Sequence, residues 1–248
     1  MASSRYWNEP TQTAPREVLD AIHLERIQHL IAWAYRNSPL YRRLYDEADI
    51  KPEDIRTWDD YHHRLPFTDK PDFLTDQEQS PHGFGGLALP VEELQMYFHT
   101  TGTTGKFLNE GFTQFEMQKS ATQYCYSFWD HGIRPGDSIY FCFNFGMWIG
   151  LWSIYWGAGN MNLQILAGGG VGSVERVRQI LDHKPKIVMG TPTYLLHLAE
   201  VARQEGLDIR DAGVEILGGG GEPGFSVPAT RRILMEQWGA EHVIDGYG

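Results

Sequence analysis

Lys186-Ile187-Val188-Met189-Gly190-Thr191-Pro192-Thr193-Tyr194-Leu195-Leu196-His197-Leu198-Ala199-Glu200-Val201-Ala202-Arg203-Gln204 is the stretch on which the fold turns. Lys186 to Met189 is a short apolar run of the kind that fills a buried strand. Gly190 breaks it. Thr191 then stands where a helix N-cap belongs, and Pro192 occupies the first helical position, where its missing N–H is no loss. Pro192 to Gln204 therefore reads as a helix that follows a strand at once.

The same alternation extends in both directions. Ser138 to Phe145, Asn162 to Leu166, Gly213 to Leu217 and His242 to Ile244 are further strand candidates. Met147 to Ala158, Val174 to His183 and Val227 to Trp238 are the helices between them, with Ser173 as the expected N-cap of the second. Strand and helix alternating at this spacing predict an α/β fold with a largely parallel sheet and crossover helices. In such sheets ligands bind beyond the carboxyl ends of the strands. The clusters Gly168-Gly169-Gly170 and Gly218-Gly219-Gly220-Gly221 both follow strand candidates.

Toward the N-terminus the pattern changes to helices and turns. Pro15 opens a segment in which Leu19, Ile22, Ile27, Leu30, Ile31 and Ala34 approximate one helical face. Asn37-Ser38-Pro39 stops it, because the residue before proline is pushed out of the α region. A second short helix is expected over Leu40 to Ala48, and loops around Pro66, Pro71 and Pro81. The expected organisation is a helical N-terminal region over residues 1–90 and an α/β nucleotide- and acid-binding region over 91–248.

Composition narrows the function classes. A formal net charge of −11 argues against nucleic acid or an anionic membrane as partner, since both repel a strongly acidic protein. Cys125 and Cys142, the two cysteines, make neither a disulfide framework nor a zinc cluster. The apolar stretch from Phe141 to Tyr155 is interrupted by Asn144, Gly146, Gly150 and Ser153 and is too short to span a bilayer. No apolar signal segment opens the chain. A soluble, cytoplasmic protein is expected. Ser120, Ser138 and Ser153 lack a nucleophile-elbow context. His62-His63 reads as a surface loop pair with no metal-ligand spacing, and His99 as a structural residue beside a strand.

The sharpest local feature is Thr100-Thr101-Gly102-Thr103-Thr104-Gly105-Lys106. Four threonines, two glycines and a lysine supply hydroxyl donors, accessible backbone N–H groups and one positive charge, a set suited to polyphosphate. A polar hairpin tip is the plain alternative. A Walker A loop is disfavoured, because Thr100 and Phe107 stand where that pattern needs Gly and Ser or Thr.

This loop resembles the phosphate loop of the adenylate-forming acyl-CoA synthetase superfamily, without its usual proline. Other segments, in collinear order, resemble the phenylacetate–CoA ligase branch. They are Tyr6-Trp7-Asn8, Leu24-Glu25-Arg26, Tyr41-Arg42-Arg43, Leu65-Pro66-Phe67-Thr68-Asp69-Lys70, Gly132-Ile133-Arg134-Pro135-Gly136-Asp137, Gly190-Thr191-Pro192-Thr193-Tyr194-Leu195, Gly220-Gly221-Glu222-Pro223 and Asp245-Gly246-Tyr247-Gly248.

The resemblance implies an enzyme that turns an aromatic acid and ATP into an acyl-adenylate and then transfers the acyl group to coenzyme A. It implies ATP, Mg2+ and coenzyme A as cofactor and co-substrates. Thr100 to Lys106 would hold phosphates, while Gly220, Gly221, Glu222, Pro223, Asp245, Tyr247 and Gly248 would line the adenine. Of the seven aromatics between Phe141 and Trp156, most are expected in the core, because large aromatics dominate core burial. The resemblance selects Phe143, Phe145, Gly146 and Trp148 for the acid pocket. Asn144 stands where the branch carries glycine, which leaves the identity of the acid open.

No catalytic residue is assigned, since the lysine the family uses would lie in a C-terminal domain beyond Gly248. The ending inside a motif suggests an incomplete chain, with an uncovered sheet edge that invites self-association, such as a homodimer. Two alternatives remain: an adenylating domain that loads a carrier-protein thiol, and a non-catalytic nucleotide- or acid-binding protein.

Overall fold

The computed structural model describes residues 4–100 and 105–246. The chain forms two compact units, Met1–Lys119 with Met147–Ile149, and Ser120–Gly146 with Gly150–Gly248.

The first unit begins with a short helix α1 (Glu9–Gln12) and a long one, α2 (Arg16–Asn37), which starts after Pro15 as expected. Helices α3 (Pro39–Glu47), α4 (Trp58–Arg64) and α5 (Lys70–Gln79) follow. Ile31, Tyr45, Ile50 and Ile55 form their common core, with Tyr41, Tyr61 and Leu65 packed against it. Two expectations need correction here. Pro71 lies in the first turn of α5, where its ring is compatible with a helix and Asp69 caps the start by accepting from the Asp72 N–H at 3.2 Å. His62 and His63 lie near the end of α4 and not in a loop; His62 stacks on Trp58, with ring centroids 5.8 Å apart.

A hairpin completes this unit. Strands β1 (Met96–His99) and β2 (Asn109–Phe112) pair antiparallel, with His99 opposite Asn109. Phe98 is buried and meets Phe112 edge-on at 5.8 Å.

Helix α6 (Gln114–Asp130) leads into the second unit. There β3 (Ser138–Phe141), β4 (Gln164–Ala167), β5 (Ile187–Met189), β6 (Ile216–Gly219) and β7 (His242–Asp245) form a sheet in the order β4-β3-β5-β6-β7. Every pairing in it is parallel. Helices α7 (Ile149–Asn160), α8 (Ser173–His183), α9 (Pro192–Gln204) and α10 (Pro228–Trp238) are the crossovers. The α/β fold with a largely parallel sheet is therefore present. Its core joins Val188 and Leu217 of the sheet to Val177, Ile180, Leu195, Leu198, Leu234 and Trp238 of the helices. Trp238 is fully buried, and its indole N–H donates to Leu195 O at 3.1 Å.

The strand after Asp137 ends at Phe141, four residues before the expected end. Cys142 N–H still bonds Met189 O at 2.8 Å, but Asn144 then turns its side chain toward another loop. Helix α8 is capped at Gly172, not Ser173. The Ser173 hydroxyl is instead 3.1 Å from the Tyr194 hydroxyl and 3.2 Å from His197 Nε2.

Candidate functional site

The expected phosphate loop falls in sequence between β1 and β2. Thr101, Gly102, Thr103 and Thr104 lie outside the described residues. Thr100 closes the base of the loop: its N–H donates to Leu108 O at 3.0 Å and its hydroxyl accepts from Leu108 N–H at 3.1 Å. Helix α5 holds the returning arm. Gln77 accepts from Asn109 N–H at 2.8 Å and donates to Phe107 O at 3.0 Å, while Glu78 pairs with the Lys106 ammonium. Lys106 remains 65% exposed in that pair, so it can be drawn to another anion at small cost. His99 donates through Nδ1 to Thr100 O at 3.0 Å, the structural role expected of it.

The adenine candidates meet at the carboxyl ends of β6 and β7. Gly219 stands opposite Asp245 in the sheet, and Gly246 N–H returns to Gly219 O at 2.8 Å. The glycines are required by the protein's own backbone. A Cβ on Gly219, at φ +151°, would lie 1.9 Å from Gly190 O, and one on Gly220 would lie 2.2 Å from Gly246 O. Beyond them Glu222 is more than a solvated acid. Its carboxylate accepts from the Thr193 N–H at 2.6 Å, in the first turn of α9, where a helix offers unpaired N–H groups and a partial positive charge. Pro223 opens a single 3-10 turn over Pro223–Ser226, and the Ser226 hydroxyl bonds the Asp245 carboxylate. Tyr247 and Gly248 lie outside the described residues.

The acid candidates follow β3. Phe145 is 37% exposed, and its ring meets Trp152 edge-on at 5.2 Å and Tyr155 at 5.5 Å. The Gly146 carbonyl accepts from the Trp152 indole N–H at 2.8 Å. A Cβ on Gly169 would lie 2.9 Å from Phe143 O and 3.2 Å from the Phe145 ring, so the turn and the Gly168–Gly170 loop fit only because that loop is glycine. Trp148 belongs to the segment Met147–Ile149, which groups with the first unit, where the Met147 carbonyl accepts from His99 N–H at 3.0 Å.

Residues that sequence reasoning passed over tie the second unit's site together. Arg176 of α8 is 5% exposed, yet it takes part in none of the ion pairs among the described residues. Its Nε donates to Gly168 O at 2.7 Å, Nη1 to the Tyr194 hydroxyl at 2.6 Å and Nη2 to Asn144 Oδ1 at 3.0 Å. Asn144 Oδ1 also accepts from Gly170 N–H at 3.0 Å. One guanidinium thus joins the turn after β3, the β4–α8 loop and α9. A cavity of about 400 Å3 in the first unit is lined by helix residues such as Ile31, Tyr41, Tyr45 and Tyr61, none of them a site candidate.

No family model matches the chain. It is 33% identical over 212 residues to the phenylacetate-coenzyme A ligase of Thermus thermophilus, across 86% of this chain and 46% of the relative. The phenylacetate-coenzyme A ligase of Escherichia coli is 30% identical over 97% of this chain and 53% of its own length. The chain therefore spans about half the length of the curated relatives it matches. The crystal structure of 2-hydroxyisobutyryl-CoA ligase in complex with 2-HIB-AMP superposes with a TM-score of 0.92 and 31% identity, over 100% of this chain and 52% of that one. The same ligase with 2-HIB-AMP and CoA gives 0.91 and 32%, over 98% of this chain and 51% of the other.

Over most of its length the chain is similar to phenylacetate–CoA ligases.

In this ligase-like chain the described residues include no group of three or more His, Cys, Asp or Glu side chains able to hold a metal ion. Among the described residues no helix is long and apolar enough to cross a membrane. The signal that could have exposed Arg176 in the sequence is its position four residues before Ile180, on the apolar face of α8. Asn144 stood out in the sequence as a departure from the branch's glycine, but nothing local marked its partners, which are 26 and 32 residues away.

Proposed function

We propose that this chain carries the nucleotide- and acid-binding part of an AMP-forming acid–thiol ligase. The carboxylate of the acid attacks the α-phosphorus of ATP, pyrophosphate leaves, and the thiol of coenzyme A then displaces AMP from the acyl-adenylate. The observation that carries this reading is the match, over the whole chain, to a ligase whose crystal structure holds 2-HIB-AMP. In the reading, Thr100 to Lys106 bind phosphates, and Gly220 to Pro223 with Asp245, Tyr247 and Gly248 take the adenine. Phe143, Phe145, Gly146 and Trp148 face the acid. Mg2+ would enter with ATP, and no role is given to it through the residues described. The aromatic residues of the turn, and the name phenylacetate-coenzyme A ligase that the relatives carry, favour an aromatic acid.

Calorimetric titration of the chain with a non-hydrolysable acyl-sulfamoyl adenosine tests the reading. Saturable binding at one site per chain is the expected result. Absence of binding with both aryl and alkyl mimics would remove the basis for the assignment.

A further inference from the structure

The amide of Asn144 is held in one orientation. Its Oδ1 is 3.0 Å from the Gly170 N–H and 3.0 Å from Arg176 Nη2. Both groups can only donate, so the oxygen, and not the nitrogen, must face them. Arg176 cannot swing away to relax this choice. It is buried, and its remaining hydrogen bonds, to Gly168 O at 2.7 Å and to the Tyr194 hydroxyl at 2.6 Å, fix the plane of the guanidinium.

The other end of the amide follows from this. Nδ2 carries two N–H donors, makes no hydrogen bond to any described residue, and belongs to an exposed side chain. Phe143 and Phe145 flank it in the turn. A pinned, exposed donor pair suits a ligand that carries an oxygen acceptor.

We infer that Asn144 determines acid specificity, its fixed amide N–H2 donating to a hydroxyl or carbonyl oxygen carried by the acid. The acid class is thus hydroxy- or oxo-substituted. This rests on the reading in which residues 143–146 line the acid pocket. An acid without the oxygen leaves the donors to water, because Asn144 is exposed, so the discrimination is modest. One hydrogen bond of this kind corresponds to about tenfold in affinity.

The test uses matched pairs of acyl-sulfamoyl adenosines titrated into the purified chain: 4-hydroxyphenylacetyl against phenylacetyl, and 2-hydroxyisobutyryl against isobutyryl. The wild type is expected to bind the oxygenated member of at least one pair about tenfold more tightly. Asn144→Asp keeps an oxygen for the Gly170 N–H and Arg176 but replaces the donors with a second oxygen. It should erase or invert the preference without lowering the thermal midpoint, since the new carboxylate pairs with Arg176. A ratio near one for both pairs in the wild type, or an unchanged ratio in Asn144→Asp, would overturn the inference while leaving the ligase reading intact. Failure of all four mimics to bind the wild type would overturn the ligase reading, and this inference with it.

Discussion

A guanidinium withdrawn from water without a carboxylate beside it is a costly group, and Arg176 persists through the geometry of its neutral acceptors. Its fork reaches a carbonyl, a phenol and an amide oxygen at once. A lysine keeps the charge but not the fork. Arg176→Lys should therefore destabilise the chain by on the order of 3 kcal/mol, more than Arg176→Met, which strands the acceptors but removes the buried charge. Urea denaturation of the two variants would read the order directly, and the reverse order would show that the acceptors matter more than the charge.

The titration of buried groups is a second residue-scale consequence. Burial pushes the Cys142 thiol from its ordinary 9.0 up to about 12, and the Tyr140 phenol from 10.0 to about 12. Burial, with Tyr41 and Tyr61 nearby, does the same for Tyr45. Each group ionises more readily in the unfolded chain, so the unfolded state loses protons first as pH rises. Their contribution is complete below pH 9.0 and is lost progressively toward about 12. Thermal midpoints measured from pH 8 upward should fall across that window. For the same reason neither Cys125 nor Cys142, both buried, should react with a thiol reagent at pH 8 until denaturant is added.

At the scale of elements, the hairpin and α5 offer the clearest test of the phosphate assignment. Glu78 competes for the Lys106 ammonium. Glu78→Gln should strengthen ATP binding by roughly threefold and Lys106→Ala should weaken it by a similar factor, with little change in stability from an exposed pair. If both variants bind ATP as the wild type does, the loop is a polar turn. The elements themselves were largely legible, because local chemistry and burial point the same way there. Thr191 caps α9, which runs from Pro192 to Gln204, and its hydroxyl accepts from Tyr194 N–H at 3.4 Å. Ser173 obeyed the same local rule, yet its hydroxyl is taken by Tyr194 and His197 across a helix interface. The early end of β3 was hidden for a related reason. An apolar run looks like a strand until a distant partner, here the loop bearing Gly170, claims one of its side chains. Of the candidate site, the glycine clusters after the strands were visible in the sequence, but their assignment to adenine came from the resemblance alone. The Glu222 bond to α9 could not be read there, because nothing local marks a carboxylate as the partner of a helix 29 residues earlier.

At the scale of the molecule, the division into units does not follow the order of the chain. Residues 147–149 group with the first unit, while the segments on either side of them group with the second. The Met147 carbonyl receives the His99 N–H at 3.0 Å, at the end of the strand that leads into the candidate phosphate loop. During synthesis on the ribosome, the first unit is thus still unfinished when Lys119 emerges. It must wait for thirty further residues, and among them β3 of the other unit is already made. The two units therefore mature as interleaved products of translation and not as successive beads. A nascent chain stalled just after Lys119 should expose His99 to rapid hydrogen exchange, and one stalled beyond Ile149 should protect it.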